Sequence, residues 1–508
     1  MAKIERTKNA SRNIFFGVIL KGYQILVPFL MRTAMIYLMG VQYLGLNSLF
    51  TSILQVLNLA ELGVGSAMVY SMYKPIADDD ISAICGLMKL YRTYYRVIGA
   101  IIAVAGIILC PFVPRLINGD IPPEINVYLL YILNLAATVL SYWLFAYKNS
   151  ILQAYQRIDI VSKVSLVINT IKFVLQFWVL WAFHNYYMYV IVLLCTQALS
   201  NVVTAIYADK LYPEYKPKGI ISRDKVKKIN QRIRDLFTAK LGGVIVGSAD
   251  TIVISAFLGL SQLAIYQNYY FIIDAIAGFI FIIDNSICAG IGNSLVTESN
   301  DKNYHDFRVF NFLLFWLMGV CICCFLTLMQ PFMELWVGKN LKLPYGMVIL
   351  FCVYFFCNVY EKSLSVFKDA AGIWRSDRFR PLIYGVSNLV VNLLLVKICG
   401  LYGIIISTIL TCATISIPWI INNIFKMIYK RESKEYLRDC FQYIIMIVVA
   451  GIINYFLCEL INGNLIYTIL FRGVVSLVIS NIIFILAFHK RKVFIESLNL
   501  IKKMIHIK

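Results

Sequence analysis

Fourteen apolar stretches, each about 20 residues long or longer, run through this chain of 508 residues, with hydrophilic segments between them. A helix needs about 20 predominantly apolar residues to cross the hydrocarbon core of a bilayer. Composition agrees, because the chain is 60% hydrophobic and 15% charged, whereas soluble domains are usually about 45–50% apolar and about 25% charged. The pattern predicts an all-α, polytopic membrane protein with about 14 transmembrane helices.

The N-terminal segment before the first apolar stretch is basic, and no small-residue cleavage site follows it. We therefore expect the first span to stay in the mature protein. The predicted spans cover residues 13–39, 43–70, 91–114, 126–147, 161–183, 186–207, 237–258, 263–295, 309–336, 344–366, 381–399, 401–426, 440–461 and 465–488.

The lysines and arginines fall almost entirely in every second gap between the spans. If the N-terminus is cytoplasmic, 39 of the 47 basic residues lie in or beside cytoplasmic segments. The positive-inside rule therefore predicts that both termini are cytoplasmic. The net charge of +20 is dispersed over many loops, which argues against nucleic acid as a partner. It favours contact with anionic membrane lipids, above all in the basic segment Lys210–Lys240.

Thirteen cysteines and four histidines are scattered along the chain. Most of the cysteines lie in predicted spans, where cysteine packs as a small apolar residue. We therefore expect no metal site.

The basic mid-chain segment divides the first twelve spans into two sets of six. A short Gly-Leu turn joins the first two spans of each set, at Gly40–Leu46 and at Gly259–Tyr266. Both sets begin on the cytoplasmic side, which predicts two six-helix bundles in a parallel, pseudo-two-fold arrangement around a central cavity. The predicted segments are an N-terminal bundle (1–208), a basic cytoplasmic linker (209–236), a C-terminal bundle (237–430), and two extra transmembrane helices with a cytoplasmic tail (431–508).

Two basic residues lie on the first span, Lys21 and Arg32. Their spacing of eleven residues places both on one helical face, about 16 Å apart along the axis. Gln24 falls on or near that face. We expect this face to line a polar cavity.

A second polar stripe, formed by Asn169, Lys172 and Gln176, lies on the fifth span. Lys172 is about halfway along the span, where an unpaired cation costs at least about 2.5–3.5 kcal/mol. Such a cation should face a wet anion-binding cavity, a counter-ion, or both. Arg472 is closer to the end of its span, and we expect its long side chain to extend to the interface.

Four acidic residues also lie within predicted spans, namely Glu61, Asp250, Asp274 and Asp284. Each could neutralise a cation, carry a coupling proton, or cap a break in a helix, and the sequence leaves these alternatives open. We expect spans one and seven to face each other across the cavity, with Asp250 at a depth similar to that of Arg32.

The segment Ser11–Arg32, the turn Gly40–Leu46 and Glu61-Leu62-Gly63 resemble polysaccharide flippases of the Wzx type. These flippases belong to the multidrug/oligosaccharidyl-lipid/polysaccharide exporter superfamily. The resemblance covers the whole chain in layout: two six-span bundles, a basic mid-chain loop and two further spans.

The resemblance implies a transporter in the bacterial cytoplasmic membrane, and no enzyme activity. Its substrate would be an undecaprenyl-pyrophosphate-linked oligosaccharide, moved to the outer leaflet by alternating access. Lys21, Arg32 and Lys172 would hold the pyrophosphate. No cofactor is implied beyond proton or sodium coupling. The implied partners are membrane lipids and the polymerase and glycosyltransferases that build capsule, O-antigen or exopolysaccharide.

Two alternatives remain open. A drug or cation antiporter of the same superfamily would use acidic residues to attract cations, whereas Lys21 and Arg32 favour an anionic substrate. A membrane polysaccharide polymerase or glycosyltransferase would usually need a sizeable extracytoplasmic loop or an acidic motif in an outer loop, and neither is evident in the sequence.

Overall fold

The structure, a computed structural model, describes residues 6–119, 121–461 and 463–506. Side chains are described from Ile19 onward, except at positions 238, 239, 500, 501 and 503–506. Within these ranges the chain forms helices, turns and irregular connections, with no strand. Thirteen described helices are long and apolar enough to cross a membrane, or 14 if one bent pair counts as a single span. The predicted all-α, multi-pass membrane fold is therefore confirmed.

The helices group into two compact units that divide after Ala264. The first unit contains α1 (Arg6–Leu38), α2 (Val41–Leu57), α3 (Val64–Ala77), α4 (Ile81–Leu109), α5 (Val127–Trp143), α6 (Asn149–Ala154), α7 (Ile158–Phe183), α8 (Tyr186–Leu211) and α9 (Arg223–Leu258). Helix α10 (Leu260–Thr297) begins in the first unit and continues in the second.

The second unit also contains α11 (Asn300–Val337), α12 (Tyr345–Ala370), α13 (Arg380–Cys399), α14 (Leu401–Thr411), α15 (Ile417–Asn423), α16 (Lys434–Glu459), α17 (Leu465–Phe488) and α18 (Lys492–His506). Segments with π-helical hydrogen bonding, Cys412–Ser416 and Ile424–Tyr429, flank α15. The predicted boundaries at residues 208/209, 236/237 and 430/431, which separate the two bundles, the linker and the two extra helices, stay a prediction.

Two spans of the first unit are broken. Between α2 and α3 the chain forms a 3₁₀ turn at Asn58–Glu61 and then takes a left-handed conformation at Gly63 (φ 86°), which glycine adopts without steric cost. Between α5 and α6 the bend is 47°, and Phe145 has a φ of 57°. Irregular backbone within a span must find polar partners, because lipid offers none.

The first unit is closely packed where α2 meets the start of α10. A Cβ atom on Gly45 would overlap the backbone carbonyl of Leu260, so only glycine fits at this contact. Nearby, the Asn118 backbone N–H donates to the Ser255 carbonyl (2.9 Å), and its side-chain amide donates to the Phe257 carbonyl (2.6 Å). These bonds fasten the α4–α5 connection to the end of α9.

The long helix α11 organises the second unit. Helices α16, α17 and α18 pack against it, and the Phe312 ring lies 5.3–5.4 Å from the rings of Tyr443 and Phe488. The two helices beyond the first twelve spans are thus part of this unit's core. Arg472 on α17 donates to the Ile461 carbonyl (3.1 Å) between α16 and α17, which gives this cation a local structural partner.

Candidate functional site

The predicted cationic residues lie on two helices of the first unit that pack against each other, α1 and α7. The ring centroids of Tyr23 on α1 and Phe173 on α7 are 6.2 Å apart. Lys172 is half-buried, and its Nζ lies 4.2 Å from the centroid of the Phe173 ring. This distance allows a cation–π interaction, which offsets part of the cost of removing the ammonium group from water. Phe173 therefore connects the α1–α7 contact to the predicted Lys172 site.

Arg32 is half-buried near the end of α1, whereas Lys21 and Gln24 are exposed. Tyr189 on α8 lies near the guanidinium. The Tyr189 ring stacks on Tyr186, with centroids 5.5 Å apart. Arg32 therefore lies beside a tyrosine cluster of the same unit, while Lys21 lies eleven residues, or about three helical turns, away along α1.

The other polar residues of the α7 stripe occupy different environments. Asn169 is half-buried, whereas Gln176 is 1% exposed and donates to the Tyr189 carbonyl (3.2 Å). The structure thus places Gln176 in the α7–α8 contact. A role for it in a substrate cavity stays a prediction.

The predicted acidic residues are divided between the units. Asp250 is buried on α9 in the first unit. Asp274 and Asp284 lie on α10 in the second unit, where Asp274 is exposed and Asp284 is 2% exposed. Asp284 accepts a hydrogen bond from the Ser363 hydroxyl on α12 (2.6 Å). Their proposed roles in gating or coupling are untested by this geometry.

Glu61 lies at the break between α2 and α3 and belongs to a polar network. The Tyr95 hydroxyl donates to Glu61 Oε1 (2.9 Å), and the Tyr91 hydroxyl donates to Tyr95 (2.6 Å). Both tyrosines come from α4, one helical turn apart. A Cβ on Gly65 would lie 3.1 Å from the Tyr91 hydroxyl and 3.5 Å from Glu61 Oε1, so the absence of a side chain there leaves room for this network.

A cavity of about 410 Å³ opens beside Glu61, and we call it the Glu61 cavity. Its size falls in the range of roughly 300–1,000 Å³ found for small-molecule sites. Both broken spans contribute to its wall, together with α4, α7, α8 and α9. Its lining is mostly polar and includes Glu61, Ser66, Tyr91, Tyr95, Phe145, Asn149, Gln153, Ser165, Ser200, Asn201, Thr204 and Lys240.

The sequence indicated Glu61 but not most of the residues around it. Tyr91 and Tyr95 follow the spacing of four residues that places side chains on one helical face, which is a detectable signal. Asn149 and Gln153 share that spacing on α6. No sequence signal predicts the left-handed conformation of Phe145, because aromatic residues rarely adopt a positive φ.

A buried ion cluster in the second unit was also absent from the predicted sites. Arg380 is 6% exposed and donates to both carboxylate oxygens of Asp377 (2.8 and 3.1 Å) and to Glu361. Lys368 binds Asp377 (3.0 Å) and Asp369 (2.7 Å). The cluster connects the end of α12 to the start of α13, and its mutual pairing indicates a structural role.

No protein-family model matches the chain, and no curated protein matches it in sequence. The fold is similar to that of solved membrane transporters. The lipid II flippase MurJ, in its inward closed conformation, matches with a TM-score of 0.69 at 12% identity, over 94% of this chain and 99% of MurJ.

Multidrug transporters match less closely. An inward-facing multidrug resistance MATE family transporter of the MOP superfamily has a TM-score of 0.59 at 14% identity, over 79% of this chain and 94% of the transporter. A MATE protein in the bent conformation has a TM-score of 0.53 at 13% identity, over 82% of this chain and 95% of that one. The chain therefore shares its fold with these solved transporters.

Proposed function

We propose that this protein is a flippase that moves an undecaprenyl-pyrophosphate-linked oligosaccharide across the bacterial cytoplasmic membrane by alternating access. The observation that carries the proposal is the placement of Arg32 and Lys172. Both cations are half-buried within spans of two helices that pack against each other. Cations in spans are costly and usually serve function. The attraction of an anionic substrate would offset that cost.

Pyrophosphate suits these side chains. A guanidinium can donate two parallel hydrogen bonds to phosphate oxygens, and an ammonium adds a mobile point charge. In this proposal Arg32 and Lys172 hold the pyrophosphate, and Lys21 attracts it from its exposed position on α1. The lipid tail remains in the bilayer during transfer.

The comparison with MurJ supports a lipid-linked substrate over a free drug. MurJ is a lipid II flippase, and its similarity to this chain extends over a larger share of the chain than that of the MATE transporter. The two C-terminal helices α16 and α17 form part of the second unit's core, and a polyprenyl flippase would need such extra apolar surface to accompany the tail. Because identity is 12%, the substrate itself is our proposal.

Reconstitution of the full chain in liposomes tests this function. Vesicles would carry a fluorescent undecaprenyl-pyrophosphate disaccharide, and a membrane-impermeant quencher would report its transfer between leaflets. We expect transfer to exceed that of protein-free vesicles and to respond to an imposed proton or sodium gradient, with no bound cofactor. Gradient-driven efflux of a cationic dye without lipid transfer would instead identify an antiporter. Lengthening of the saccharide would identify a polymerase or glycosyltransferase.

A further inference from the structure

We propose that the Glu61 cavity binds an uncharged sugar ring of the transported lipid. The inference rests on the proposed function and adds a second site to it, apart from the cations that would hold the pyrophosphate. The cavity lies within the first unit and is lined by residues from six of its spans. It could therefore recognise a head group without help from the second unit.

The hydrogen-bonding groups of the cavity favour a ligand that donates hydrogen bonds. Asn149 lines the cavity, and its Oδ1 is buried without a hydrogen-bond partner among the described residues. A buried unsatisfied acceptor costs about 1–3 kcal/mol, so a turn of the Asn149 side chain that brings Oδ1 to a donor in the cavity would be favourable. Sugar hydroxyls are donors. A fully ionised pyrophosphate carries only acceptors and would leave Asn149 unsatisfied.

The wall of the cavity includes an aromatic side chain at a residue with an unusual backbone conformation. Phe145 holds a left-handed backbone conformation (φ 57°) and is 44% exposed, with the Lys148 Nζ 5.3 Å from its ring centroid. Such conformations cost about 1–3 kcal/mol in non-glycine residues and cluster at ligand sites. The bend it creates brings Phe145, Asn149 and Gln153 to the same wall. An aromatic face beside amide groups matches a sugar ring, which has apolar C–H faces and a hydroxyl edge.

The charges of the cavity favour a neutral ring. Glu61 and Lys240 both line it, so the wall carries one acidic and one basic group. A charged ligand of either sign would meet one like charge and one opposite charge in this wall, so it would gain no net attraction. It would also lose its hydration on entering the cavity, whereas an uncharged ring carries no such cost.

Binding to the full chain in lipid nanodiscs tests the inference with three synthetic probes. They are undecaprenyl pyrophosphate without sugar, the same lipid with a neutral hexose, and the same lipid with a hexuronic acid. We expect the neutral hexose to strengthen binding about tenfold over the bare lipid. The paired substitution Asn149→Ala/Gln153→Ala should remove this gain and leave binding of the bare lipid unchanged. Gln197→Ala, an exposed α8 residue outside the cavity lining, is the matched control and should retain the gain.

Three outcomes would overturn the inference: no gain from the hexose, a gain that survives the paired substitution, or a larger gain from the hexuronic acid. Failure of every lipid probe to bind would reject the proposed function itself, so the two failures are distinguishable. Thermal unfolding of each variant, together with its affinity for the bare lipid, separates a lost sugar contact from a misfolded protein.

Discussion

Arg32 supplies both a positive charge and a bidentate hydrogen-bonding group at the proposed anion site. It is half-buried on α1 beside Tyr189, and we assign it to the pyrophosphate. Arg32→Ala should reduce lipid transfer at least tenfold, because it removes the charge. Arg32→Lys should retain more activity, although it loses the bidentate fork. Transfer rates in proteoliposomes, at equal protein content, measure both.

Arg472→Ala is the matched control for the loss of a span arginine. Arg472 donates to the Ile461 carbonyl at the α16–α17 connection, so its removal should alter stability more than transfer. A large loss of transfer in Arg472→Ala, with Arg32→Ala unaffected, would reverse the two assignments.

At the scale of helices, the contact between α2 and the start of α10 depends on Gly45. A methyl group there would overlap the Leu260 carbonyl, and overpacking of this kind typically costs about 1–3 kcal/mol. We expect Gly45→Ala to lower the thermal unfolding temperature by several degrees. Gly22→Ala on α1 is the control, because among the described residues no atom beyond the adjoining helix backbone lies within 4 Å of its added Cβ. Equal unfolding temperatures for the two variants would show that the contact is looser than described.

The ion cluster between α12 and α13 leads to a second prediction, which concerns the stability of that helix contact. Asp377 is the shared partner of two buried cations, Arg380 and Lys368. Removing one partner of a buried ion pair typically costs about 3–5 kcal/mol, so Asp377→Ala should destabilise the protein strongly. Asp369→Ala removes a half-exposed partner of Lys368 alone and should cost about 1 kcal/mol or less. Denaturation in detergent would compare them, and similar losses would contradict the shared role of Asp377.

For the whole molecule, the distribution of basic residues predicts which side each loop faces. Reporter fusions at Lys339 should report the extracytoplasmic side, and fusions at Lys225 and Lys502 the cytoplasmic side. The further predicted extracytoplasmic positions Asp120 and Asn462 lie outside the described residues. Exposure of Lys225 on the outside of intact cells would reverse the orientation and place both termini outside.

The sequence predicted the spans because hydrophobic length in a bilayer is a strong constraint. All 14 predicted spans correspond to described helices or to the bent pair α5–α6. It also drew attention to Lys172 and Glu61, since charges in apolar stretches are conspicuous. The Glu61 cavity was not predictable in the same way. It depends on the conformation of Phe145, which has no local sequence signal. It also depends on Asn149 and Gln153, whose spacing of four residues marks a shared helical face but does not separate a cavity wall from ordinary packing.

The most direct test of the proposed anion site is transport by a triple variant, Lys21→Ala/Arg32→Ala/Lys172→Ala. It would be expressed in a strain that lacks its own flippase, with protein levels matched by immunoblot, and surface export of the lipid-linked oligosaccharide would be measured. We predict that the wild-type chain restores export and that the triple variant, although inserted at normal levels, does not. Wild-type export by the triple variant would contradict the proposed anion site and leave these three cations with structural roles alone.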